Sequence, residues 1–377
     1  MRTAKPYNIL VTMSEFMYGS KIRNVCDLVR GLDRSKYNVA IAALETTDEA
    51  VDEIRSLGVP YYRLRTILRP PITGRRVGQF LASPFEIVSH KYDLVHSFLY
   101  QSLATEAVLF KLFSRAKYIY TKPNLQWDNH RLNWHLKSRL SDKIISISKA
   151  TDELLICKGF GDKIRTIYLG IDISLFQFSE AKRVELRRRL GIGESPIVFG
   201  CAAQFVESKE QLTLVSAFEA LHRRYENVRL LLAGPNHKDQ YYRTVVERIE
   251  SSPAKATIIL LGTIQDMAAF YSGIDCFVLP SRNESFGYVY IEAMSCGRPV
   301  IASRAGGPLD IVVEGETGHL TEMSSVHDLT EKMGIYLKNK DLLCDHGRAG
   351  RQRAVAVFSR ETMVDQTQSL YMELLTS

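Results

Sequence analysis

The sequence predicts an α/β protein of two doubly wound, Rossmann-like domains facing across a cleft, on three observations. Short β-branched or apolar runs alternate with amphipathic helical stretches, the pattern of parallel sheets covered on both faces. The alternation runs from residue 9 to 168 and starts again near residue 195. The chain has 377 residues, 45% hydrophobic and 24% charged, enough for two domains that each bury a core without disulfides or metal.

In the first half the apolar runs place strands at 9–12, 39–44, 94–97, 118–121, 144–147 and 165–168. In the second they fall at 197–202, 229–233, 257–261, 276–279 and 300–302. Between the halves, residues 180–190 read as a charged helix whose run Arg187, Arg188, Arg189 suits a solvent-exposed linker. Ligands of such sheets sit at the carboxyl ends of the strands, so loops that follow strands are where functional residues are sought.

No run reaches the roughly 18 apolar residues of a membrane-spanning helix, and residues 1–20 mix Arg2, Lys5 and Glu15 where a signal peptide would be apolar. A cytoplasmic protein is expected, soluble or peripheral at the inner leaflet of the cell membrane. The six cysteines, Cys26, Cys157, Cys201, Cys276, Cys296 and Cys344, match no zinc or redox spacing and read as buried free thiols. Net charge is +7, unevenly spread: residues 1–178 hold 26 basic against 17 acidic side chains, the remainder 23 against 25. From Arg55 to Phe85 there is no acid, and arginines alternate with Tyr61, Tyr62 and Ile72. Such a stretch suits an anionic surface, membrane lipid ahead of nucleic acid, for which no binding motif is present.

Residues 280–318 are the informative stretch: PSRNESFGYVYIEAMSCGRPVIASRAGGPLDIVVEGETG. A strand ends at Leu279, a polar loop follows, and a helix is expected from about Phe286 to Gly297, where Gly and then Pro299 stop it. The amides of Phe286, Gly287 and Tyr288 would face the cleft at the positive end of the helix dipole, a place for a diphosphate. Gly287 would let a ligand approach closely. Glu284 lies before this helix and Glu292 two turns inside it, about 12 Å apart at helical rise. That exceeds the roughly 5–9.5 Å of a paired glycosidase site, so the two carboxylates do separate binding work: one on a ribose, one on a sugar hydroxyl, with phosphates between.

This stretch resembles the signature of the retaining GT-B glycosyltransferases of family four: proline-serine, glutamate, seven residues, glutamate-alanine-methionine, glycine, proline-valine and a double glycine. The resemblance extends along most of the chain, through NILVTMSEFMYGSKIRNVCDLVRGL, DLVHSF, IYLGIDISLF and the closing FSRETMVDQTQSLYMELL. It implies the GT-B fold, an acceptor-side domain over 1–175, a nucleotide-sugar domain over 176–357, and a last helix, about 358–377, packed back on the first domain. It also implies that Glu284 meets the donor sugar, Glu292 the ribose, Lys209 in QFVESKEQ the diphosphate, and Gly19 with Ser20 the leaving phosphate. The donor would be a nucleoside-diphosphate sugar, with no cofactor and no metal. The chain has no Asp-x-Asp pair, the motif with which another glycosyltransferase fold holds a divalent ion.

The sequence departs from the family pattern at Gln204, where an arginine usually stands, at Leu169 before GID, and at Pro123, where a histidine or arginine is usual. Asn124, His130 or His96 could supply the missing first-domain group, and His96, at a strand end, is the candidate carried forward. A sugar-nucleotide epimerase of the same architecture and a degenerate binding subunit are the rival readings.

Overall fold

The computed structural model describes residues 5–16, 20–46, 48–63, 74, 90–99, 104–125, 127, 131–235 and 240–377. The chain divides into two compact units. One comprises Met1–Gly170 together with Arg360–Ser377, the other Ile171–Ser359. The crossings therefore fall at 170/171 and 359/360 in place of the expected 175/176 and 357/358. They are fixed there because Ile171 and Ser359 form a parallel bridge, with the Ile171 amide donating to the Phe358 carbonyl at 3.0 Å.

Among the described residues, unit one holds a seven-stranded sheet, β1 (Tyr7–Phe16), β2 (Tyr37–Thr46), β3 (Tyr61–Arg63), β4 (Leu94–Phe98), β5 (Lys117–Lys122), β6 (Lys143–Ser146) and β7 (Ile164–Thr166), in the order β3-β2-β1-β4-β5-β6-β7. Unit two holds β8 (Ile197–Ala202), β9 (Val228–Ala233), β10 (Ile258–Gly262), β11 (Cys276–Leu279), β12 (Val300–Ser303) and β13 (Gly318–Thr321), in the order β10-β9-β8-β11-β12-β13. The strand pairings are parallel in both sheets. Of the edge strands, β3 and β13 escape the sequence reading for opposite reasons. Tyr61–Arg63 is three residues long and largely exposed, while Gly318–Thr321 contains a glycine and a histidine and lacks an apolar run.

The core of unit one is closed by the chain's last helix, Arg360–Thr376, which packs on helix Ser20–Gly31 and buries Met363, Val364, Leu370, Tyr371 and Leu374 among Ile22, Val25 and Val29. A methyl group on Gly31 would stand 2.5 Å from Val364, so the close approach of the two helices depends on that glycine.

Helix Glu180–Arg189 is no exposed linker. Arg183 and Arg187, one turn apart on the same face, both clasp Asp275 at the start of β11, at 2.9 and 2.7 Å. Arg187 is only 1% exposed and also donates to the Gly273 carbonyl at 3.0 Å. Only part of the arginine run is solvated, as at Arg188, which pairs with Glu185. The cysteines likewise split. All six are free, but Cys157 and Cys344 are exposed on helices while the other four are buried, and burial pushes the Cys26, Cys201 and Cys296 thiols up to about 12. The acid-free stretch after Arg55 lies mostly outside the described residues.

Candidate functional site

The strand order of unit two reverses between β8 and β11, and at such a switch point the loops leaving the carboxyl ends diverge and leave room for a ligand. The loop after β8 carries Gln204 and Lys209, and the loop after β11 carries Glu284. The structure brings the last two together: Lys209 Nζ lies 2.5 Å from Glu284 Oε2, both side chains about one-fifth exposed. Gln204 is exposed, and its backbone carbonyl accepts from the Gln211 side chain at 2.9 Å.

Glu284 is held through its backbone by the double glycine. The Gly307 amide donates to the Glu284 carbonyl at 2.8 Å. A Cβ on Gly306 would stand 2.1 Å from that same carbonyl, and one on Gly307 would stand 2.1 Å from the Phe286 carbonyl. The two glycines thus serve the loop that presents Glu284. Gly287 has a φ of +111° and a Cβ there would strike the Tyr290 ring at 2.4 Å, so the protein's own packing demands this glycine whatever a ligand requires. It also sets where the helix begins: Tyr288, two residues later than expected, running to Ser295. The N-cap is Gly287 itself, and the positive dipole end of the helix sits next to Glu284. Phe286 is buried against Phe358 and Tyr288, so of this residue only the backbone can serve a ligand. Glu292, 6% exposed, accepts from the Tyr271 hydroxyl at 2.9 Å, a partner 21 residues away that nothing in the sequence marks.

Residues 182–353 match the family model of glycosyl transferases group 1, and residues 23–175 match that of glycosyltransferase family 4. The chain belongs to glycosyltransferase family four. Among curated relatives, it is 27% identical over 212 residues to N-acetyl-alpha-D-glucosaminyl L-malate synthase of Bacillus anthracis, covering 56% of this chain and 54% of that one. It is 27% identical over 247 residues to the capsular polysaccharide biosynthesis glycosyltransferase CapM of Staphylococcus aureus, covering 64% and 61%. The chain thus spans between half and two thirds of these relatives' length. In fold it is similar to a glycosyltransferase from Rickettsia africae, with a TM-score of 0.87, 19% identity and 99% of each chain covered. It is also similar to HepE of Anabaena in complex with UDP, with a TM-score of 0.85, 21% identity, and 97% of this chain and 100% of that one covered. The fold is GT-B.

In unit one the family-four chain places its candidate residues differently from expectation. His96 on β4 is 1% exposed, and both ring nitrogens are engaged: Nδ1 with the Tyr371 hydroxyl at 2.7 Å and Nε2 with Thr121 Oγ1 at 2.8 Å. Burial, reinforced by the charge of Lys137, drops its pKa to about 3. It is a neutral structural histidine that ties the last helix to the sheet, and it has no ring nitrogen left for a substrate. Gly19 and His130 lie outside the described residues, and Ser20 opens helix Ser20–Gly31.

Sequence reading missed a buried polar group beside His96. Glu106 accepts from Thr12 at 2.6 Å and Ser97 at 3.1 Å, and Lys137 donates to Ser97 at 3.0 Å and to the Leu99 carbonyl at 3.1 Å. Lys122, at the end of β5, donates to Asn124 Oδ1 at 2.6 Å and lies 4.1 Å over the Trp134 ring. Desolvation lowers Lys122 to about 7 and Lys137 to about 8, and raises Glu106. The sequence offered one signal for this group: Glu106 is the single acid in helix Thr105–Phe113, followed directly by the apolar run Ala107–Phe110.

Proposed function

We propose that the protein is a retaining glycosyltransferase that moves a sugar from a nucleoside-diphosphate sugar to a hydroxyl of a glycan or lipid-linked acceptor, without metal, in cell-surface polysaccharide or glycolipid synthesis. The observation that carries this reading is the Lys209–Glu284 pair at the sheet's switch point, beside the N-terminus of helix Tyr288–Ser295. A diphosphate there competes with Glu284 for Lys209, and the released carboxylate turns to the hydroxyls of the attached sugar. The bond from the sugar's anomeric carbon to the diphosphate then breaks. The departing charge meets Lys209 and the helix dipole, positioned donors that need no reorganisation. The acceptor oxygen bonds to the anomeric carbon on the face the diphosphate leaves, and the hydroxyl proton passes to the diphosphate. A cation and a dipole already meet the phosphate charge in this scheme, which supports metal-free transfer. HepE was solved with UDP and with UDP-glucose, which makes uridine nucleotides the first probes.

Glu292→Gln tests the ribose assignment. The amide can still accept from Tyr271, so the fold is kept, while a charged acceptor of ribose hydroxyls is lost. The Kd for UDP should rise about tenfold, or ~1.4 kcal/mol, in calorimetric titration. Unchanged affinity removes Glu292 from the site, and nucleotide-sugar turnover assays with pooled acceptor extracts separate transfer from epimerisation and from binding alone.

A lipid-linked acceptor is favoured by the outer face of helix Arg131–Leu140. Leu132 is 84% exposed and Leu136 42%, one turn apart on one line, with Arg131, His135 and Arg139 exposed on the neighbouring line. The helix contains no acid, and the adjacent helix Thr105–Phe113 ends on exposed Leu112 and Phe113. Leucines beside arginines match an anionic bilayer, at about 1 kcal/mol per arginine near the surface. Cosedimentation with anionic vesicles should exceed that with neutral ones, fall at high salt, and fall again in the combined Arg131→Glu and Arg139→Glu variant. Binding indifferent to all three would leave a soluble acceptor.

A further inference from the structure

We propose that Glu210 and Arg282 form a positioning pair, a strap that holds the Lys209 turn against the Glu284 loop so that both charges stand ready before a donor arrives. The inference rests on the reading of Lys209 and Glu284 given above and adds what places them. Lys209 ends a short 3₁₀ turn, Glu207–Lys209, and the next residue, Glu210, is left-handed at φ +56° before helix Gln211–His222 begins. Such a conformation suits glycine, yet here a carboxylate occupies it, 3% exposed. That carboxylate accepts from Arg282 Nε on one oxygen and from Thr213 Oγ1 on the other. Arg282 stands two residues before Glu284, and its own amide donates to the Ser208 carbonyl at 2.9 Å.

Two loops that leave different strands are therefore tied at three points: Arg282 to Glu210, Arg282 to Ser208, and Lys209 to Glu284. The last tie must open when a diphosphate takes Lys209, because the lysine cannot serve both partners at full strength. The other two ties do not involve the ligand-facing charges, so they keep Lys209 and Glu284 in register while the pair is split. Without Arg282, the buried Glu210 carboxylate would keep the Thr213 hydroxyl but lose its facing cation, which itself stands half in solvent.

UDP titration of the wild type and five variants tests the strap. Arg282→Gln and Glu210→Gly should each raise the Kd for UDP about five- to tenfold. Glu210→Gly relaxes the left-handed residue, so its melting temperature should stay near wild type even if Arg282→Gln folds poorly. Arg282→Lys, which keeps a cation within reach of Glu210, should recover most of the affinity. In a Lys209→Met background, Arg282→Gln should be silent, because the strap acts through that lysine. Unchanged affinity in Arg282→Gln and Glu210→Gly, or losses that add to that of Lys209→Met, overturns the strap while leaving the site reading intact. A wild-type protein that binds none of UDP, GDP and ADP overturns the site reading and the strap with it.

Discussion

Glu284→Ala is expected to cut sugar transfer by at least about a hundredfold, ~2.7 kcal/mol of transition-state stabilisation, while UDP binds as tightly as before or up to about tenfold tighter. The two effects have opposite signs because Glu284 plays two parts. In the ligand-free protein it competes for Lys209 at 2.5 Å, so its removal delivers the lysine unopposed to a diphosphate. In the donor complex it holds sugar hydroxyls, so its removal leaves the sugar poorly oriented, and orientation is a large share of what such a site supplies. Parallel measurement of transfer rate and of UDP affinity decides the matter. A variant that loses both in equal measure would mean that Glu284 serves the nucleotide, and the roles of the two glutamates would have to be exchanged.

The second large effect concerns acid stability. His96 has a native pKa of about 3 against roughly 6.5 in an unfolded chain. Between those values the unfolded state binds a proton that the native state refuses, so unit one loses stability as pH falls, by up to about 1.4 kcal/mol per pH unit. From pH 6.5 to 4.5 this sums to ~2.3 kcal/mol. Lys122 and Lys137, with native values of about 7 and 8, act with the same sign at higher pH, where the unfolded chain keeps protons that the native state releases. Both tryptophans, Trp127 and Trp134, lie in unit one, so their fluorescence follows its urea unfolding without interference from unit two. His96→Gln should start from a lower stability at neutral pH and lose less on acidification. If both proteins lose stability in parallel, His96 is not the group that titrates.

Most of the sheet architecture was legible in the sequence because parallel strands buried on both faces leave continuous apolar runs such as Ile197–Ala202, all six of whose residues are buried. The pairing of Lys209 with Glu284 was legible only as two separate assignments. Their meeting depends on the order in which strands cross, and no local pattern encodes that. Long-range partners were the consistent blind spot. His96 read as a reactive group at a strand end because its partner Tyr371 stands 275 residues away. Arg187 read as solvated because its partner Asp275 stands 88 residues away. Glu210 and Arg282, 72 residues apart, are each unremarkable in sequence, and only the left-handed backbone at Glu210 sets that residue apart. The glycines of the 280–318 stretch carried a true signal with a different cause, since they make room for the loop's own backbone at Glu284 and Phe286.

The bridge between Ile171 and Ser359 makes unit two an insertion spliced into unit one. Its two ends leave side by side, hydrogen-bonded to each other, so the inner unit closes its own loop and imposes little chain-closure entropy on its host. The host, by contrast, is completed only by residues that follow the insertion, because Tyr371 and its neighbours fill its core. A chain emerging residue by residue from its N-terminus must therefore hold an unfinished first unit, with one helix of its core missing, until the whole of the second has been made.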